Sequence, residues 1–128
     1  MPDQQRDALI ATAHALADAA RVETLRYFRD GDLGISNKAD AGFDPVTQGD
    51  HAAEEAIRAI LAERRPDDGI LGEEQGLTEG TSGLTWVVDP IDGPRAFLSG
   101  TPTWGVLVAL SDASGPRLGI IDQPYIGE

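Results

Sequence analysis

Apolar positions recur at helical spacing over residues 5–29. Ile10, Ala13, Ala17 and Ala20 share one stripe, Leu25 and Phe28 continue it, and the segment holds no Gly or Pro. Gly31 is the expected stop. Gly31, Gly34, Gly42 and Pro45 predict a loop over 31–46. A second helix is predicted from just after Thr47 to about Arg65. Its inner stripe is Ala53, Ile57, Ile60 and Leu61, and Pro66 ends it. The period then changes. Residues 69–72 form a short apolar run, 75–83 are Gly/Thr/Ser-rich and predict a loop, and 84–89 read as a buried strand with Trp86, Val87 and Val88 consecutive. Three prolines and two glycines break up 90–103. Residues 104–110 and 117–123 read as two more strands, and the short turn between them predicts an antiparallel hairpin. The outline is α+β: a helix pair packed on a largely antiparallel sheet, with no internal repeat or interdomain linker.

Composition narrows the function classes. The 128 residues suit one domain. Twenty-two acidic against ten basic side chains give a net charge of -12, which excludes the basic surface that nucleic acid or an anionic membrane needs. Cysteine is absent, so disulfides, thiolate metal sites and cysteine nucleophiles are excluded. No apolar stretch approaches the roughly 18–20 residues of a membrane span. Residues 1–7 are too polar to open a signal peptide, so a cytoplasmic location is expected.

Carboxylates concentrate where the chain turns. One spot is Gly72-Glu73-Glu74; the other is Trp86-Val87-Val88-Asp89-Pro90-Ile91-Asp92-Gly93. Asp89 ends an apolar strand, and Asp92 follows across a turn shaped by Pro90 and Gly93. Like charges held this close repel, and a divalent cation compensates them. An all-oxygen ligand set suits a hard ion, Mg²⁺ or Mn²⁺. The plainer reading is an acidic turn, since Asp, Pro and Gly are turn formers.

These strings, with Phe97, Gly100 and Pro102 before a strand, closely resemble the inositol monophosphatase family of Mg²⁺-dependent phosphomonoesterases. The resemblance extends to Lys38, Pro45-Val46-Thr47 with Asp50, and the closing Leu118-Gly119-Ile120-Ile121-Asp122-Gln123-Pro124. Arg95-Ala96-Phe97-Leu98-Ser99-Gly100 and Ile121-Asp122-Gln123-Pro124 look most like the histidinol-phosphatase branch, which serves histidine biosynthesis. The resemblance implies the N-terminal half of the layered sugar-phosphatase fold. It also implies two or three Mg²⁺ ions, Mn²⁺ being an alternative. Glu73, Asp89 and the Ile91 backbone carbonyl would hold the first ion. Asp89 and Asp92 would contribute to a second, with Asp89 bridging. Glu74 is the alternative to Glu73, or a solvated acid beside it. Backbone N–H groups after Asp92-Gly93 would cradle phosphate, making Asp92, Gly93, Pro94 and Arg95 the substrate-binding segment.

Other residues carry two readings. Thr47 and Asp50 form a capping box at a helix start, or Asp50 partners a threonine that activates the attacking water. Lys38 is a solvated loop cation, or approaches the metals. Arg95 faces substrate or pairs with a nearby acid. His14 and His51 are expected on the surface, isolated from the acids, and Trp86 and Trp104 in the core.

Two departures from the family pattern matter. Where the family has Asp-Gly-Thr, this sequence has Asp92-Gly93-Pro94. Proline removes the activating hydroxyl and a backbone N–H, while suiting the first turn of a helix. Loss of the hydroxyl is worth on the order of 10²–10⁴ in rate, and loss of the donor about 10²–10³. The family's C-terminal half, with its Trp-Asp-x-Ala type ligand motif, has no counterpart, so residues 1–128 are expected to be one truncated N-terminal domain. The expected function is hydrolysis of small phosphorylated metabolites, histidinol phosphate first and inositol monophosphate next, impaired in this chain by truncation and Pro94. The alternative is a non-catalytic binding or assembly module, paired as a homodimer or with a separate C-terminal half.

Overall fold

The computed structural model describes residues 3–28 and 45–127. Helices α1 (Asp3–Tyr27) and α2 (Pro45–Arg64) precede β1 (Gly69–Gly72), β2 (Gly76–Thr78) and β3 (Thr85–Asp92). A short helix, α3 (Pro94–Ser99), leads to β4 (Gly105–Asp112) and β5 (Gly115–Asp122). The strands form one sheet in the order β2-β1-β3-β4-β5. β1 and β3 are parallel and the other neighbours antiparallel, so the α+β outline holds with a mixed sheet.

The helix pair covers one face of the sheet. From α1 come Leu9, Ala13, Leu16, Ala17 and Ala20, and from α2 Ala53, Ile57 and Leu61. They meet Trp86 and Val88 of β3 and Val106, Val108 and Leu110 of β4. Small alanines let the helix axes approach. Thr12 and Thr24 join the buried face because their hydroxyls donate to the carbonyls of Ala8 (2.9 Å) and Ala20 (2.8 Å). The stripe is rotated from the expected one: Ile10 is 40% exposed, and Leu9 and Leu16 face inward.

Trp86 and Trp104 are core anchors, as expected. The Trp86 Nε1–H donates to Asp68 (2.9 Å), which also accepts from Arg65 (2.7 Å) and Ser82 (2.7 Å). Burial pushes the Asp68 carboxyl up, but bonds from Arg65, Ser82 and Trp86 outweigh it and hold the group below its ordinary value. This cluster ties the end of α2 to the starts of β1 and β3.

Several expectations are corrected. The helix α2 begins at Pro45, so Thr47 lies inside it and is not its N-cap. The segment 75–83 contains β2, which pairs with β1. Val87 is 38% exposed because β3 buries one face only. β3 also continues through Pro90 to Asp92 instead of turning. Its register against β4 shifts between Asp89 and Asp92, giving a bulge that tolerates a proline without an N–H. Gly31 and Lys38 lie outside the described residues. Among the described residues, no helix is long and apolar enough to cross a membrane.

Candidate metal centre

Chain direction assembles the acids. β1 follows directly on α2 and runs back along it, so the end of β1 returns toward the first turns of α2. The parallel register sets Gly72 beside Val88, and hence Glu73 beside Asp89. Asp50, in the second turn of α2, completes the group. Asp50, Glu73 and Asp89 each offer one carboxylate oxygen, and these oxygens all lie within 4.8 Å of one another. Asp50 is 7% exposed, Asp89 partly buried and Glu73 exposed.

Nothing in the described protein neutralises this group. Asp50 Oδ1 and Asp89 Oδ1 are buried without a hydrogen-bond partner. Among the described residues no basic side chain forms an ion pair with any of the three. Burial, then the charges of Glu73, Glu74 and Asp89, push Asp50 up to about 7, eased slightly by the Ile91 backbone N–H. Burial, then Glu73 and Asp92, push Asp89 up to about 6, again eased by Ile91. Orphaned carboxylate oxygens converging from three elements fit a hard divalent cation such as Mg²⁺ or Mn²⁺.

The other expected site residues distribute around this group. Asp92 is exposed at the end of β3, outside the three but close enough to raise Asp89. The Ile91 side chain is in the core, and its main chain lies beside both Asp50 and Asp89. Gly93 adopts φ 89°, a left-handed conformation that starts α3, and Pro94 takes the first turn of that helix. Arg95 is exposed. His14 is exposed as expected; His51 is exposed too, but its Nε2 lies 3.6 Å from Glu74, so it is not isolated from the acids. With Asp50 inside α2 and one oxygen unpartnered, the capping-box reading gives way to membership of the acidic group. Glu54, absent from the sequence expectations, is fully buried beneath this region. Its only sequence signal is position: four residues after Asp50, four before Arg58, and next to Ala53 on the inner stripe.

A helix pair on a mixed sheet, with acids gathered just past the shared register of two parallel neighbours, defines an α+β protein with an acidic, oxygen-only centre. The inositol monophosphatase family model matches residues 5–128, and the chain belongs to that family. A histidinol-phosphatase of Streptomyces coelicolor is 41% identical over 131 residues, spanning 99% of this chain and 47% of that protein. A histidinol-phosphatase of Mycobacterium tuberculosis is 43% identical over 114 residues, spanning 88% and 43%. The solved structure of an inositol monophosphatase from Zymomonas mobilis is 38% identical with a TM-score of 0.75, covering 100% of this chain and 47% of that one. The chain thus spans about half the length of the curated relatives it matches.

Proposed function

We propose that this chain carries the principal metal centre of a divalent-cation-dependent phosphomonoesterase acting on small phosphorylated metabolites. The observation that carries the reading is the convergence of Asp50, Glu73 and Asp89 with two orphaned, buried oxygens. Histidinol phosphate is the favoured substrate, because relatives named histidinol-phosphatase share 41% and 43% identity. Inositol monophosphate is next. Mg²⁺ is the expected ion, held by Glu73, Asp89 and the Ile91 carbonyl, with Asp92 and Asp50 contributing beside them. Bound there, it would supply charge neutralisation for the phosphate and a lowered pKa for the attacking water. Asp50 is suited to orient that water and hold its proton. The N–H groups of Arg95 and Ala96, next after Pro94 in α3, are available to phosphate oxygens. Cytoplasmic location and association, as a homodimer or with a C-terminal half, belong to the same proposal.

The test is titration with Mn²⁺, followed calorimetrically and by the ion's paramagnetic resonance. Saturable binding that weakens at least tenfold in Asp89→Asn is expected. Binding that is absent, or unchanged in Asp89→Asn, would remove the metal centre from consideration.

Pro94 favours a second reading, a family member that binds without turnover. It stands where a hydroxyl and a phosphate-facing N–H are expected, and it occupies the first turn of α3, where the helix needs no N–H from it. With a family C-terminal half supplied, Pro94→Thr is expected to raise histidinol-phosphate hydrolysis by about 10²-fold or more. Equal rates for the two forms would show that Pro94 is no defect.

A further inference from the structure

Glu54 is a carboxylate with no exposure at all, on the same face of α2 as Asp50 and one turn further on. It is outside the group of three acids, and its oxygens are occupied. Oε1 accepts the backbone N–H of Glu74 (3.0 Å), and Oε2 accepts the N–H of Gln75 (2.8 Å). Oε2 also accepts from Arg58 Nε (3.2 Å). Arg58 then donates to Thr78 Oγ1 (2.9 Å) and to the Gly76 carbonyl (2.8 Å). Beyond α2 itself, every residue that Glu54 and Arg58 bond belongs to the turn and strand that follow β1, the segment that presents Glu73.

The other side of Glu73 meets the same carboxylate. A Cβ on Gly72 would collide with the Glu54 carboxylate, so the backbone passes directly over it at a residue with no side chain. Glu73 is therefore flanked on both sides by residues seated on Glu54. Asp50 rides the same helix. One rigid element thus fixes two of the three acids relative to each other.

We propose that Glu54, backed by Arg58, is a positioning residue for the metal centre: it holds the 72–75 turn so that the Glu73 carboxylate meets those of Asp50 and Asp89. This rests on the metal-centre reading above. Partners that orient a metal ligand are typically worth about 10–100-fold in metal affinity. A buried carboxylate receiving two amides and a guanidinium also costs stability when one partner is removed.

The experiment compares wild type, Glu54→Gln and Arg58→Lys in the full chain. It measures Mn²⁺ affinity, hydrogen exchange of the Glu74 and Gln75 amides without metal, and near-ultraviolet dichroism of the two tryptophans. Expected are a tryptophan signal unchanged in both variants, faster exchange at both amides in Glu54→Gln, and Mn²⁺ affinity lowered about 10–100-fold. Arg58→Lys reaches the surface and keeps its charge, so it folds even if Glu54→Gln does not. Its affinity falls by a smaller factor in the same direction. Wild-type affinity in a folded variant with accelerated amides overturns the positioning role and leaves the metal centre standing. If wild type binds no Mn²⁺ while its amides are protected and the variant's are not, the metal reading fails. The positioning role falls with it, leaving Glu54 a clamp of the fold alone.

Discussion

Asp50→Asn should stabilise the metal-free protein at neutral pH and weaken its response to divalent cations. In the fold the Asp50 carboxyl is pushed from 3.8 to about 7, first by burial and then by Glu73, Glu74 and Asp89. A raised carboxylate binds its proton more tightly in the native state than in the unfolded one, so native stability falls as pH rises from about 4 to about 7. That gap sets a ceiling of roughly 4 kcal/mol at pH 8. The acids are coupled and the site is open at Glu73, so the expected gain in Asp50→Asn is about 1–3 kcal/mol. The assay is urea unfolding in chelator at pH 8, pH 6 and pH 4, with and without Mn²⁺. In chelator the variant should be the more stable at pH 8, with its advantage shrinking toward pH 4. At an Mn²⁺ concentration that saturates wild type the advantage should be lost, since wild type gains the more binding energy on folding. A variant less stable than wild type at pH 8 in chelator would refute the electrostatic reasoning and make Asp50 an ordinary structural acceptor.

Asp89→Asn should act in the same direction but more weakly, because Asp89 is raised only to about 6; a stability loss at pH 8 in chelator counts against this. Trp86→Phe removes the indole bond to buried Asp68 and should cost about 1–3 kcal/mol by denaturant unfolding at pH 7. Asp68 is held below 3.8, so its share is present above the unfolded value and lost as pH falls through the folded one. A Trp86→Phe penalty that stays constant to the acid limb of unfolding would contradict that. Gly93→Ala forces a side chain into φ 89° with its Cβ 3.3 Å from the Thr103 carbonyl, and should cost about 1–2 kcal/mol in thermal unfolding; no change in Tm would mean the backbone there relaxes freely.

The acids that stand out in the sequence and that the structure brings together are those whose signal is local. Glu73 follows the short apolar run that becomes β1, and Asp89 follows Trp86-Val87-Val88 within β3. The sheet order is not local. That β1 and β3 are parallel neighbours depends on β2 folding back at the sheet edge, and β2 is three residues of a Gly/Thr-rich segment that reads as loop. Pro90 reads as a turn because proline is rare in central strands. The bulge between Asp89 and Asp92 is the exception, and it exists only against the β4 register. Asp50 was legible as a residue but not in its setting: a helix start three residues earlier puts Thr47 inside α2 and moves Asp50 from the first turn to the second. Glu54 was illegible because two of its partners are backbone amides about twenty residues away, and no side-chain pattern encodes them.

These two kinds of residue answer to each other energetically. The acids of the centre destabilise the metal-free fold, by up to a few kcal/mol against the 5–15 kcal/mol that a domain of this size commands. Something must hold them together when no cation does, and it cannot be the acids themselves. The structure puts that restraint at the middle of α2 and just beyond its C-terminal end. In the middle Glu54 and Arg58 grip the turn that carries Glu73; past the end Arg65, Asp68 and Trp86 anchor the strands that carry Glu73 and Asp89. α2 is thus a rigid bar with the repelling group near its start and satisfied ionic locks at its middle and just past its end. Loosening either lock should let the acids drift apart, which relieves repulsion and costs affinity together. Gains in metal-free stability at Asp50 and losses of Mn²⁺ affinity at Glu54 are therefore two readings of one strain.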